Sequence, residues 1–137
     1  MKTLFSTAYL TIYLHEGEFP GIELNWLGYA PGQQFREAVL RALELVAEHR
    51  ATGWISDDRH LGAVRPRDLE WAFETAIPRL TELGIARFAQ LESQDAMNRL
   101  TIGGAYQQHE AMLSFELRRF TDLTEARAWV VGMDRLA

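Results

Sequence analysis

The first part of the chain alternates apolar and polar residues. In residues 7–15 every second position carries Ala, Leu or Ile, which is the period of a strand with one buried face. Residues 22–26 alternate in the same way, after turn-forming residues that include Gly17 and Gly21. Two such runs separated by a turn predict an antiparallel hairpin at the start of a sheet.

The period then changes from that of a strand to that of a helix. Between Phe35 and Val46 apolar residues recur at spacings of three and four, and Pro31 suits the first turn of a helix. A second helix is predicted from Pro66 to Gly84. The apolar stripe of this second helix consists of Leu69, Ala72, Phe73, Ala76, Leu80 and Leu83.

The rest of the chain alternates short apolar strands with helices. The predicted strands are residues 54–56, 85–91 and 113–120. The predicted helices are a short one at residues 92–102, capped by Ser93 and ended by Gly103 and Gly104, and a last one that begins at Asp122. Strand–helix alternation after a hairpin predicts a mixed sheet whose later strands are parallel.

We therefore predict an α/β fold in a single domain over residues 1–137. Its mixed sheet has about five strands, an antiparallel N-terminal hairpin followed by parallel strands, and it packs against three to four helices. With 47% hydrophobic and 24% charged residues, the chain can bury a core of this size, which excludes a disordered or fibrous protein.

Charge and cysteine content exclude several function classes. With a net charge of −5, the chain lacks the excess of Lys and Arg that a protein needs to bind nucleic acid or an anionic membrane surface. Without cysteine there are no disulfides, no thiol catalysis and no thiolate-bound metals. No apolar run at the N-terminus is long enough for a signal peptide or a membrane span, so we expect a cytoplasmic protein.

Three segments carry a resemblance to a known family. They are WISDDR at residues 54–59, the helix that begins DLEW at residue 68 and contains Pro78, and FTDLTEARAW at residues 120–129. Together with the element order they resemble the SpoIIAA-like fold of the STAS/SEC14-type group of small bacterial α/β proteins. The resemblance spans nearly the whole chain and implies a non-enzymatic regulatory or binding domain.

One feature of that group is absent from the sequence. In anti-sigma-factor antagonists of the group, a Ser or Thr at the start of the helix after the central strand is phosphorylated to switch partner binding. Here no hydroxyl residue occurs between Ser56 and Thr75. The phosphorylation switch therefore cannot be transferred to this chain.

Polar residues cluster where the parallel strands end, which is where open α/β sheets bind ligands. The candidate ligand-binding residues are Asp57, Asp58, Arg59, His60, Glu92 and Ser93. Two carboxylates and a histidine can bind a divalent ion or share a proton. Adjacent strand residues point to opposite faces, however, so we expect Asp57 and Asp58 to diverge and favour an Asp–Arg pair that fixes the loop.

Histidine spacing predicts neither a metal site nor a cofactor. The four histidines lie in four different segments, and none has a partner at i+4. No nucleophile-elbow motif accompanies them. We therefore predict no catalytic residues.

Trp71 lies off the apolar stripe of the second helix. Glu74 and Pro78 follow it, and Leu40 is likewise off the stripe of the first helix. These four residues are candidates for a dimer interface or a ligand groove, because Trp is enriched where surfaces associate. The alternative is that the hairpin or the Tyr106 loop folds over Trp71 within one chain.

The hypothesis favoured by the sequence is a non-enzymatic binding or regulatory domain that self-associates as a dimer or binds a protein partner. A second hypothesis is a small metal- or acid/base-dependent enzyme that uses Asp57, Asp58, His60 and Glu92. A third, implied by the SEC14 side of the resemblance, is the binding of an apolar, lipid-like ligand under the second helix.

Overall fold

The computed structural model describes residues 1–132, and six strands in this part of the chain form one sheet. They lie side by side in chain order. The strands are β1 (Lys2–Ser6), β2 (Leu10–His15), β3 (Gly21–Trp26), β4 (Gly53–Asp57), β5 (Arg87–Leu91) and β6 (Glu116–Phe120). Strands β1 to β3 pair antiparallel, and β3 to β6 pair parallel, which confirms the predicted mixed sheet.

The sheet has six strands, whereas the sequence predicted about five. The additional strand is β1, which pairs with β2 along the N-terminal edge. Thr7 separates the two strands, because its hydroxyl accepts hydrogen bonds from the backbone N–H groups of Tyr9 and Leu10. This local turn takes Thr7 out of the strand predicted for residues 7–15.

Four α-helices cover the two faces of the sheet. They are α1 (Gly32–His49), α2 (Pro66–Glu82), α3 (Ala96–His109) and α4 (Leu123–Val130). Helices α1, α2 and α3 pack on one face, here called the main face, over the larger core. Helix α4 packs on the other, the α4 face, over a smaller core around Ile55 and Leu91. No helix within residues 1–132 is long and apolar enough to cross a membrane.

Helix α3 differs from its prediction. It begins at Ala96, where the Asp95 side chain accepts a hydrogen bond from the N–H of Asn98 at 2.8 Å, and it continues through Gly103 and Gly104 to His109. Each glycine costs a helix about 1 kcal/mol relative to alanine. Burial of Ile102 and Tyr106 in the main core opposes that cost, so tertiary packing extends the helix past the predicted break.

Two glycines on neighbouring strands position α4. Gly21 of β3 is paired in register with Gly53 of β4, and the side chain of Val130 packs over both. A Cβ at Gly21 would lie 2.8 Å from Cγ1 of Val130. Since valine is nearly fixed at χ1 in a helix, this side chain cannot turn away.

We expect Gly21→Ala to lower the free energy of unfolding by about 1–3 kcal/mol, because the added methyl group collides with Val130. In the Gly21→Ala background, Val130→Ala should cost less than it does in the wild type. Urea unfolding of the four proteins measures this coupling. Gly103→Ala is the control for an added methyl group that meets no atom within 4 Å, and it should not lower the free energy of unfolding. Equal costs of Val130→Ala in both backgrounds would refute the packing argument.

Candidate functional site

The two adjacent carboxylates at the end of β4 lie on opposite faces of the sheet. On the α4 face, Asp57 accepts hydrogen bonds from Arg59 Nε and Nη2, each at 2.9 Å, and from Asn25 Nδ2 at 3.2 Å. Asp58 faces the main core instead. The Asp57–Arg59 pair is the loop-fixing contact favoured by the sequence, and the two carboxylates do not converge.

Asp58 is buried within a polar cluster on the main face. Its carboxyl oxygens accept hydrogen bonds from Ser56 Oγ at 2.7 Å and from Gln90 Nε2 at 3.3 Å. The hydroxyl of Tyr106, on helix α3 of the same face, interacts with Ser56. Burial raises the pKa of Asp58 to about 7, and the neighbouring charge of Asp57 acts in the same direction.

The Asp58 cluster borders an apolar cavity of about 90 Å³ in the main core. Helix α2 supplies one wall of this cavity, and β3 to β5, α1 and α3 supply the others. The α2 residues that line it are Leu69, Ala72, Phe73, Ala76, Ile77 and Leu80. One part of the lining is polar and consists of Ser56, Asp58 and Tyr106. The cavity is therefore mostly apolar and has a titratable carboxyl group at one side.

Two buried polar atoms on the main face lack a hydrogen-bond partner within the described chain. They are Nε1 of Trp54, a residue that lines the cavity, and Oε1 of Gln90. Trp54 is 4% exposed, so bulk water does not satisfy its N–H. A buried donor without an acceptor costs about 1–3 kcal/mol.

A second buried carboxylate lies on the α4 face. Glu23 is fully buried and accepts two hydrogen bonds from Arg127, at 2.7 and 2.9 Å. Nε2 of His15 lies 2.7 Å from the same carboxylate. Burial opposes the charge of Glu23, but the hydrogen bonds from His15 and Arg127 outweigh it together and lower its pKa to about 2.

The remaining predicted ligand-binding residues are not brought together. His60 is exposed in the loop after β4, and Glu92 lies at the surface with its Oε1 3.7 Å from Arg119 Nε. Ser93 is buried and accepts a hydrogen bond from the N–H of Asp95 in the turn before α3. In residues 1–132 no group of three His, Asp or Glu side chains is placed to hold a metal ion.

Two of the four predicted interface residues share a surface groove between α1 and α2. Leu40 is 44% exposed, and Trp71 is partly buried beneath the guanidinium of Arg36, 5.0 Å from the ring centre. Arg36 of α1 therefore covers Trp71, rather than the hairpin or the Tyr106 loop. Glu74 and Pro78 are exposed on α2 and do not line this groove.

Comparison with known proteins identifies the fold. No protein-family model matches the sequence, and no curated protein matches it significantly. Among the solved structures that are similar is an uncharacterized protein of the DUF3478 family, with a SpoIIAA-like fold, from Shewanella loihica PV-4, and the similarity covers 93% of this chain and 98% of that protein. The two share 13% sequence identity and superpose with a TM-score of 0.59. The chain has a SpoIIAA-like fold.

The partners of Asp58 in this SpoIIAA-like protein were not predicted from the sequence. Ser56 and Gln90 occupy paired positions on β4 and β5, in strands that are otherwise largely apolar. That pairing of two inward polar residues was a detectable signal once the strands were placed side by side. The position of Tyr106 beside Ser56 could not be predicted, because Gly103 and Gly104 indicate a loop at this point of the chain.

Stability should depend on the protonation of Asp58. Because the folded-state pKa of about 7 exceeds the unfolded value of 3.8, the folded state holds its proton more tightly. The free energy of unfolding should therefore fall as pH rises from about 4 to about 7, by on the order of 4 kcal/mol. Urea unfolding at a series of pH values measures this slope, and Asp58→Asn should remove it.

Glu23 provides the matched control with the opposite sign. Its folded-state pKa of about 2 lies below the unfolded value of 4.5, so its stabilising effect is present above pH 4.5 and is lost as pH falls toward 2. Glu23→Gln should remove this acid limb and lower stability by a constant amount above pH 4.5, and it should leave the slope between pH 4 and 7 unchanged. A slope between pH 4 and 7 that persists in Asp58→Asn would contradict the assignment.

Proposed function

We propose that this SpoIIAA-like chain is a single-domain, cytoplasmic, non-enzymatic binding protein whose ligand is a small apolar molecule held in the main-face cavity. The resemblance to SEC14-type proteins likewise implies an apolar ligand under the second helix, α2. The observation that carries the proposal is the cavity of about 90 Å³ lined by side chains of the larger core.

An apolar cavity of this kind favours a ligand over water. Protein interiors are close-packed and contain few voids larger than a water molecule. Cavities lined by Leu, Ile and Phe stay dry and take up small apolar molecules, as an engineered 150 Å³ cavity does with benzene. By that comparison the present cavity suits a molecule of about four non-hydrogen atoms.

The arrangement of the acidic residues supports binding rather than catalysis. The enzyme hypothesis requires Asp57, Asp58, His60 and Glu92 to act together. Asp57 is neutralised by Arg59 on the α4 face, and Asp58 is buried on the main face. His60 and Glu92 are exposed at the surface, so no shared substrate position joins the four side chains.

Titration with cyclopentane tests the cavity directly. We expect saturable chemical-shift changes at the methyl groups of Ile77 and Ile102, which line it. Ala72→Leu adds three carbon atoms inside the cavity and should weaken binding by about tenfold or more. Ala47→Leu adds the same atoms at an exposed position of α1 and should leave binding unchanged.

Two results would refute the proposal: the absence of saturable shifts in the wild-type protein, and undiminished binding by a folded Ala72→Leu variant. Native mass spectrometry of gently purified protein complements the titration. A co-purified small apolar mass, absent from Ala72→Leu, is the expected result.

We also propose self-association through the groove between α1 and α2. Its support is the exposed apolar surface of Leu40 beside the partly exposed ring of Trp71. Trp71→Ala should weaken association by about tenfold or more in sedimentation equilibrium, because aromatic anchors carry much of the energy of an interface. Leu27→Ala removes an apolar side chain elsewhere that is about as exposed as Leu40 and should have no effect. A wild-type protein that remains monomeric would refute this role of the groove.

A further inference from the structure

We infer that the ligand of the main-face cavity is neutral and carries a hydrogen-bond acceptor, an ether or carbonyl oxygen, that bonds to the indole N–H of Trp54. This inference rests on the proposed function and specifies the chemical class of the ligand. It is carried by the juxtaposition of the cavity with a buried donor that lacks a partner.

The indole N–H is the polar group that the protein leaves unsatisfied at this cavity. Trp54 is 4% exposed, it lines the cavity, and its Nε1 has no hydrogen-bond partner within residues 1–132. Its ring stacks on Phe88 with centroids 6.0 Å apart, so the indole is held in place by an aromatic neighbour. A buried tryptophan usually satisfies its N–H.

The other polar groups of the cavity already have partners. Ser56 donates to Asp58, Asp58 also accepts from Gln90, and Tyr106 interacts with Ser56. These contacts involve Ser56, Asp58 and Tyr106, which line the cavity, whereas Gln90, whose Oε1 is unpaired, does not line it. A ligand that offers an acceptor to Trp54 therefore gains a hydrogen bond without breaking one.

Charge excludes an anionic ligand. Asp58 and Tyr106 are the ionisable residues among the lining side chains of the described chain, and no arginine or lysine joins them. A buried anion needs a cation or several donors to offset its loss of hydration. A neutral oxygen needs only one donor, which Trp54 supplies.

Tetrahydrofuran and cyclopentane form the test pair. They have nearly the same size and shape, but only tetrahydrofuran has an oxygen that accepts hydrogen bonds. The preference of the protein is the ratio of the two affinities. Comparing this ratio between protein variants cancels the different hydration of the free molecules, because each is transferred from the same water.

Two matched variants isolate the indole N–H. Trp54→Phe removes the N–H and keeps an aromatic ring, and Trp26→Phe makes the same change at a second tryptophan that lines the cavity and stacks on Phe35. We expect the tetrahydrofuran preference to fall by about five- to tenfold in Trp54→Phe, the loss that one hydrogen bond produces. It should change by less than about twofold in Trp26→Phe.

The wild-type protein gives a second readout that does not depend on the folding of a variant. The indole proton resonance of Trp54 should move downfield with tetrahydrofuran, because a new hydrogen bond deshields it, and should move much less with cyclopentane. An unchanged resonance at saturation with tetrahydrofuran would overturn the inference.

The outcomes separate the inference from the proposed function. Binding of cyclopentane with a tetrahydrofuran preference that is equal in the wild type and Trp54→Phe overturns the inference and leaves the cavity as a ligand site. The same conclusion follows if both tryptophan variants lose the preference equally. Failure of both molecules to bind the wild type removes the proposed function and the inference with it.

Discussion

The alternation of side chains along β4 is the constraint on which both faces of the sheet depend. Successive residues of a strand point to opposite sides, and here both sides are covered by helices. Ser56 and Asp58 therefore face the main core, while Ile55 and Asp57 face α4. A one-residue shift in register would exchange these sets and bury the Asp57–Arg59 pair in the apolar core.

The two faces solve the problem of a buried carboxylate in different ways. Glu23 stays ionised because His15 and Arg127 hydrogen-bond to it, so its burial is balanced by these hydrogen bonds and by the charge of Arg127. Asp58 has neutral partners, Ser56 and Gln90, and burial favours its protonated form. The α4 face thus gains a rigid ion pair that ties α4 to β3, whereas the main face keeps a carboxyl that titrates near neutral pH.

Local pattern predicted most of the fold, because the elements with regular periodicity are those whose packing agrees with it. The hairpin, α1 and α2 each present one apolar side to the main core.

Prediction failed where short-range and long-range preferences conflict. Gly103 and Gly104 indicate a break in the helix, but the core holds Ile102 and Tyr106 on either side of them. Strand β1 depends on pairing with β2 and not on an alternation of its own. Divergence of Asp57 and Asp58 followed from strand geometry alone, whereas the cavity could not be predicted, since it results from side chains of six different elements.

The cavity has an energetic consequence that connects stability with binding. A cavity of about 90 Å³ corresponds to about 2 kcal/mol of stability at the cost per volume seen for core cavities. The unpaired N–H of Trp54 adds the cost of a buried donor without an acceptor. Both costs arise at one place in the core, and filling the space with larger side chains would remove the first of them. In the proposed complex a ligand of matching size with one acceptor oxygen would remove both, so the features that cost the core stability would supply the free energy and the selectivity of binding.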